Sequence, residues 1–262
     1  MKNTNRMTHR YRGFSSIYKS VPRSALKGCM IGMIFILLML SEVMEEVCAS
    51  ETKGQGPDFA TLVHSPKWED RDLAAYTIFS NADLDTIEII SLVIEGIKTE
   101  VSDPSSSLMP VGSYLTHSER ILRKYIIDLQ EIGPTWSPVL RDYYSRLTGD
   151  ARIWIAIALG CQEDSSVHHI LTDIIFSSSD CNMKAMSIKA LSTYSDTNDI
   201  HTYEKALLDT CSVIINNDVS VDGTTFHEMY YPVRAEAITA LKRLGCLVRP
   251  DSTGGYIFER QE

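Results

Sequence analysis

A basic residue recurs at the same place in five similarly patterned segments of the chain: Arg71, Arg120, Arg152, Lys184 and Arg234. The successive spacings are 49, 32, 32 and 50 residues. Three positions after each stands Ala74, Arg123, Ile155, Ser187 or Ala237. Six positions after stands Thr77, Ile126, Ala158, Ala190 or Ala240, and seven after stands Ile78, Ile127, Leu159, Leu191 or Leu241. Offsets of three and seven return to nearly one side of an α-helix, and six lies on its flank. Small residues there let a neighbouring helix approach, and Leu or Ile fills the groove. This register constrains the fold more than any single motif, because each repeat buries its apolar face only against its neighbours.

Most of these predicted helices are followed by a second. Residues 83–101 carry Ile87, Ile90, Ile94 and Ile97 on one face. Residues 136–147 are entered through Pro134 and Pro138, which suit first-turn positions. Residues 165–176 place Val167, Ile170, Leu171, Ile174 and Ile175 at amphipathic spacing. A fourth is predicted over 199–215, and none follows Arg234. The segment from Arg152 to Leu159 is apolar on nearly all sides, so it belongs between neighbours rather than against water. Residues 219–226, centred on Asp222-Gly223, read as a loop rather than a hairpin. Residues 250–255 (Pro-Asp-Ser-Thr-Gly-Gly) break the chain before a short tail. The predicted layout is 1–49 as a signal peptide or signal anchor, 50–66 as a linker, 67–249 as a helical repeat domain and 250–262 as a C-terminal tail.

The run Pro232-Val233-Arg234-Ala235-Glu236-Ala237-Ile238-Thr239-Ala240-Leu241 resembles the first helix of a HEAT or HEAT-like repeat, of the kind also found in phycobilisome-lyase-type proteins. Asp150-Ala151-Arg152 through Ala158-Leu159-Gly160 is similar, and Asn182-Met183-Lys184 through Ala190-Leu191 is a weaker copy. Arg123 departs from the small-residue pattern. The resemblance implies an all-α fold, an α-solenoid (superhelix) of HEAT-like helical hairpins with about four and a half repeats. It also implies that the recurring basic residue reaches a neighbouring repeat's acid or helix-end carbonyls. Repeat scaffolds host many roles, so the resemblance speaks to architecture rather than activity.

The formal net charge is −9, but it is unevenly spread. Residues 1–28 hold seven Lys or Arg and no acid, whereas residues 50–262 hold 31 of the 34 acids and are net −13. Between them runs an apolar stretch of 12 residues, Cys29 to Leu40. A membrane-spanning helix needs about 17–25 apolar residues, so the run fits a secretory h-region behind a basic flank. Val47-Cys48-Ala49 suits cleavage after Ala49; an uncleaved anchor over 29–43 and a lipid-modified Cys48 are the alternatives. The body is therefore expected outside the cytoplasm, periplasmic or extracellular, with membrane contact only through the N-terminal segment. Its acidity opposes nucleic acid as a partner.

No P-loop, dinucleotide fingerprint, nucleophile elbow or H-E-x-x-H motif is present, and no pair of His stands at metal-ligand spacing. No catalytic residue, metal or cofactor is expected. Four cysteines follow residue 50: Cys161, Cys181, Cys211 and Cys246. Cys161–Cys181 and Cys211–Cys246 are the pairings that link neighbouring elements, with four buried thiols as the alternative. The stretched spacings of 49 and 50 imply insertions over 102–117 and 218–231, both after a second helix and before the next first helix, hence on one edge of the stack. Their Tyr114, Phe226, His227, Tyr230 and Tyr231 are the candidate partner-binding residues. The expected role is non-enzymatic, an exported scaffold for a protein or peptide. The alternative is a lyase-type enzyme or ligand chaperone with a cofactor-like small molecule.

Overall fold

The structure, a computed structural model, describes residues 58–103, 113–221, 224–250 and 256–260, of which 216–221, 224–228 and 258–260 are described by backbone alone. The expectations for the N-terminal segment 1–49 and for the linker as far as residue 57 lie outside the described residues. What is described is mostly helical, with two small antiparallel hairpins.

Each recurring basic residue falls in the first turn of a helix. These first helices are α2 (Trp68–Thr77), α4 (His117–Ile132), α6 (Gly149–Cys161), α8 (Cys181–Leu191) and α10 (Pro232–Arg243). Each packs on the next in that order. Between them lie α3 (Thr86–Ser102), α5 (Ser137–Arg146), α7 (His168–Ser177) and α9 (Ile200–Ala206), with a short α1 (Phe59–Val63) against α2 and α3. The starts are encoded locally. Asp85 and Glu88 form a reciprocal capping box at α3, Thr116 and Glu119 do the same at α4, and the Asp180 carboxylate accepts the Asn182 and Met183 amides at α8. Pro138 and Pro232 sit in the first turns of α5 and α10, where a missing N–H costs nothing.

The core follows from the register. In α6 every residue from Trp154 to Cys161 is buried, because α4 and α8 cover it on two sides while α5 and α7 close the rest. Gly160 permits the closest approach: a Cβ there would lie 2.5 Å from Leu171 Cδ1 and 3.1 Å from Ala190 Cβ.

The basic residues tie the elements together. Arg71, 1% exposed, donates from Nε to Glu100 Oε1 at 2.5 Å and from Nη1 to the Ser65 carbonyl at 2.8 Å. Its Nη2 pairs with Asp103 Oδ2 at 2.9 Å. Arg120 reaches Asp72 on α2 at 3.0 Å, and Lys184 reaches Asp209 at 2.8 Å. Arg234 donates to the Asp209 carbonyl at 2.6 Å, whereas Arg152 lies over the Tyr144 ring at 4.4 Å. Four of the five thus bridge to an acid or carbonyl beyond their own helix.

Three expectations need correction. The helix expected over 199–215 stops at Ala206, and Val213–Val221 forms strand β1, paired with β2 (Thr224–Tyr230). The run Val213-Ile214-Ile215 followed by Asn216-Asn217-Asp218 is β-branched and then turn-prone, which disfavours helix. The 219–226 loop is accordingly a hairpin. The tail is not outside the fold: β3 (Cys246–Pro250) pairs with β4 (Tyr256–Arg260), and Val248 and Tyr256 pack on the core. Residues 251–255, between the two strands, lie outside the described residues. Among the described residues no helix is long and apolar enough to cross a membrane.

The Arg71–Glu100 pair is buried on both sides, so deleting one partner strands a charge. Arg71→Ala, which leaves the buried Glu100 carboxylate without its cation, is expected to lower unfolding free energy by about 3–5 kcal/mol, read from urea denaturation; a loss below about 1 kcal/mol, the usual worth of an exposed pair, would contradict the burial argument.

Candidate functional site: the edge where the first helices begin

The first helices run in one direction. Thr193 Oγ1, just past α8, donates to the Gly160 carbonyl near the end of α6 at 2.9 Å. Arg243 at the end of α10 donates to Ser192 Oγ at 2.7 Å. The starts likewise converge, since Arg123 of α4 donates from Nε to Asn182 Oδ1 of α8 at 2.7 Å, past the intervening α6. Every link from a second helix to the next first helix therefore emerges on one edge, including the two stretched ones.

Those two links meet. The Tyr114 ring, before α4, lies 4.5 Å from the Tyr230 ring, at the end of β2, with the planes tilted by 46°. Arg123 joins them: its Nη1 donates to Tyr114 Oη at 3.3 Å and its guanidinium carbon lies 5.6 Å from the Tyr114 ring centre. This accounts for the one large basic residue at a position where other repeats carry small or aliphatic ones. Burial together with the Tyr114 contact pushes the Tyr230 hydroxyl above its ordinary pKa. Tyr231 lies under the Arg234 guanidinium, 4.5 Å away. The structure thus brings Tyr114 and Tyr230 together and leaves Tyr231 on Arg234. His227 pairs with Asn216 in the β1–β2 register, but the side chains of Phe226 and His227 lie outside the described residues.

The hairpin also exposes apolar surface. Ile214 and Met229 face each other across the ladder and are 51% and 56% exposed. Leu208, at the start of the same link, is 70% exposed. None of these was picked out in the sequence, because the segment was read as a helix and a loop; the β-branched run Val213-Ile214-Ile215 was the available signal.

At the starts of α4, α6 and α8 lies a cavity of about 240 Å3 lined by five carboxylates, Glu100, Asp103, Glu119, Asp150 and Asp180, together with Ser118, Met183 and Trp154. Four of the carboxylates already serve the fold. Glu100 accepts from Arg71 and from Ser118 Oγ at 2.5 Å, Asp103 pairs with Arg71, and Glu119 and Asp180 cap helices. Asp150, in the first turn of α6, is exposed. The Trp154 indole N–H is buried without a hydrogen-bond partner. Such a lining favours a cationic group that also offers an acceptor to the indole.

Cys181 and Cys211 are disulfide-bonded on this edge, with Cα atoms 5.5 Å apart. This replaces both expected pairings. Cys161 lies at the end of α6, on the opposite edge, and α8, with 11 residues and so about 16 Å long, separates that edge from Cys181. Cys246 follows the end of α10, again on the far edge from Cys211. Cys161 and Cys246 are buried free thiols, and burial pushes Cys161 up to about 11.

The opposite edge holds one group of metal-ligand type among the described residues: His168, Asp196 and Asp199, with one donor atom from each lying within 4.8 Å of the others. His168 Nε2 is 3.0 Å from Asp199 Oδ2, and burial raises the Asp199 carboxyl while the His168 hydrogen bond opposes that rise. Sequence spacing missed the group because its His and buried Asp are 31 residues apart. No protein-family model matches the chain, and no curated protein matches it either.

The disulfide closes a loop of 30 residues around α8 and α9. Replacing both cysteines by serine is expected to cost about 3–4 kcal/mol, measured by denaturant unfolding of the oxidised protein. An unchanged midpoint, or free-thiol titration of the denatured, unreduced full chain finding all six cysteines reactive rather than four, would contradict the bond.

Proposed function

We propose that the chain is an exported, non-enzymatic scaffold, an α-solenoid of HEAT-like hairpins that binds a protein or peptide on the edge where its first helices begin. The observation that carries this reading is the convergence of the two stretched links, with Tyr114 against Tyr230. A loop that only connected helices would need no such length. Ile214 and Met229, paired across the hairpin that carries Tyr230, add exposed apolar surface, and Leu208 is exposed earlier in the same link; exposed apolar surface rimmed by polar groups supports an interaction site. The carboxylate-lined cavity supplies the complementary charge. The partner's expected chemistry is an aromatic or aliphatic anchor next to Lys or Arg, and the acidity of the body disfavours nucleic acid.

Two further observations support the setting. The basic flank and the 12-residue apolar run are what an export signal carries, and the Cys181–Cys211 bond suits an oxidising compartment. The register of basic residues and small or aliphatic flanks supports the repeat reading, with the first helices packed in series.

The test is selection of a random peptide library against the purified protein. Enriched peptides are expected to combine an aromatic residue with Lys or Arg. Ile214→Ser with Met229→Ser, both at exposed positions, is expected to weaken the best peptide at least about tenfold, as is Tyr230→Ala. Unchanged affinity in both variants would overturn the proposed surface, and a co-purifying chromophore or small ligand would favour a ligand chaperone instead.

A further inference from the structure

We infer that His168, Asp196 and Asp199 form a site for one divalent transition-metal ion of the zinc type, on the edge opposite the proposed partner surface. Three observations carry it. The donor set is one imidazole nitrogen and two carboxylate oxygens, with the three donor atoms within 4.8 Å of one another. Ligands at about 2.0–2.2 Å from zinc lie about 3–4 Å from each other, so a small rotation of the half-buried His168 and Asp196 side chains toward the buried Asp199 closes the set.

The second observation is the repeat register. At 32 residues' spacing Asp164 and Asp196 are equivalent, and each carboxylate accepts the amide two residues on, starting a short 3-10 turn. These are structural caps common to both repeats. His168 and Asp199 are not common to both. The position equivalent to Asp199 is Val167, 1% exposed, and the one equivalent to His168 is Ile200. The fold therefore accepts an apolar side chain where this repeat places a carboxylate that is 5% exposed. A buried carboxylate is retained at such a place only with a compensating partner.

Third, that compensation is incomplete within the chain. Among the described residues no Lys or Arg pairs with Asp196 or Asp199, and His168 is the group that meets Asp199. Without metal, Nε2 carries the proton and donates it to Asp199. With metal, the imidazole takes the other tautomer, its proton moves to Nδ1, and the Nε2 lone pair turns to the ion. A mixed nitrogen and oxygen set selects zinc-like ions over calcium, which prefers six or more oxygens. Three protein ligands leave a position for water or for a donor from a partner.

The experiment is isothermal titration of chelator-treated full-length protein with ZnCl2, and separately with CaCl2. One saturable Zn2+ site per chain is expected, with calcium binding much weaker. His168→Ala, Asp196→Asn and Asp199→Asn, each shown folded by circular dichroism, are each expected to weaken Zn2+ binding at least about tenfold. His169→Ala is expected to leave binding unchanged. Absence of saturable Zn2+ binding, retention of full affinity in His168→Ala and Asp196→Asn, or an equal loss in His169→Ala would overturn the site.

Discussion

A helix that is apolar around its whole circumference has to be enclosed, and α6 is such a helix. From Trp154 to Cys161 it offers no polar face to water, so something must cover it on every side. The cover is α4 on one side and α8 on the other, with the second helices outside. Once α6 is enclosed, its neighbours must run alongside it with their own small residues turned inward, and they in turn need α2 and α10. The row of first helices follows from that one requirement. In four of the five first turns the basic residue then fastens the start of its helix to an acid or a carbonyl, so that charge helps fix the edge while apolar packing fixes the row.

This geometry decides where function can sit. Because the first helices begin on one side, all links entering them share that side, and lengthening two of them builds a surface without disturbing the core. Tyr114 and Tyr230 meet there although three first helices separate them in sequence. Arg123 spans the same gap from α4 to α8. The disulfide between Cys181 and Cys211 anchors the hairpin that carries Tyr230. The far edge is built from short turns, and its capping carboxylates repeat at the 32-residue period. Only where His168 and Asp199 interrupt that period does it acquire a distinct chemistry.

The helical row was legible because it rests on periodicity. Arg71, Arg120, Arg152, Lys184 and Arg234 each fell in a first turn, and the enclosed position of α6 could be read from its lack of a polar face. A shared edge for the two insertions was legible as well from the repeat register, but the contact of Tyr114 with Tyr230 was not. What was not legible depended on local competition or on distance. Residues 213–215 fit a buried helix or a strand equally well over so short a run, and the strand prevails because Asn216-Asn217-Asp218 disfavour continuing a helix. The cysteine pairing depended on which end of each helix a thiol occupies, which spacing does not report. His168 and Asp199 are ordinary loop and helix-start residues until the stack brings consecutive turns together.

The most direct measurement of the central claim is amide hydrogen exchange of the protein with and without a saturating selected peptide. Slowed exchange confined to the edge residues 113–118, 148–154, 178–183 and 211–232 is the predicted result. Protection at the opposite edge, around residues 162–168 and 192–200, with none near Tyr114 and Tyr230, would contradict the account.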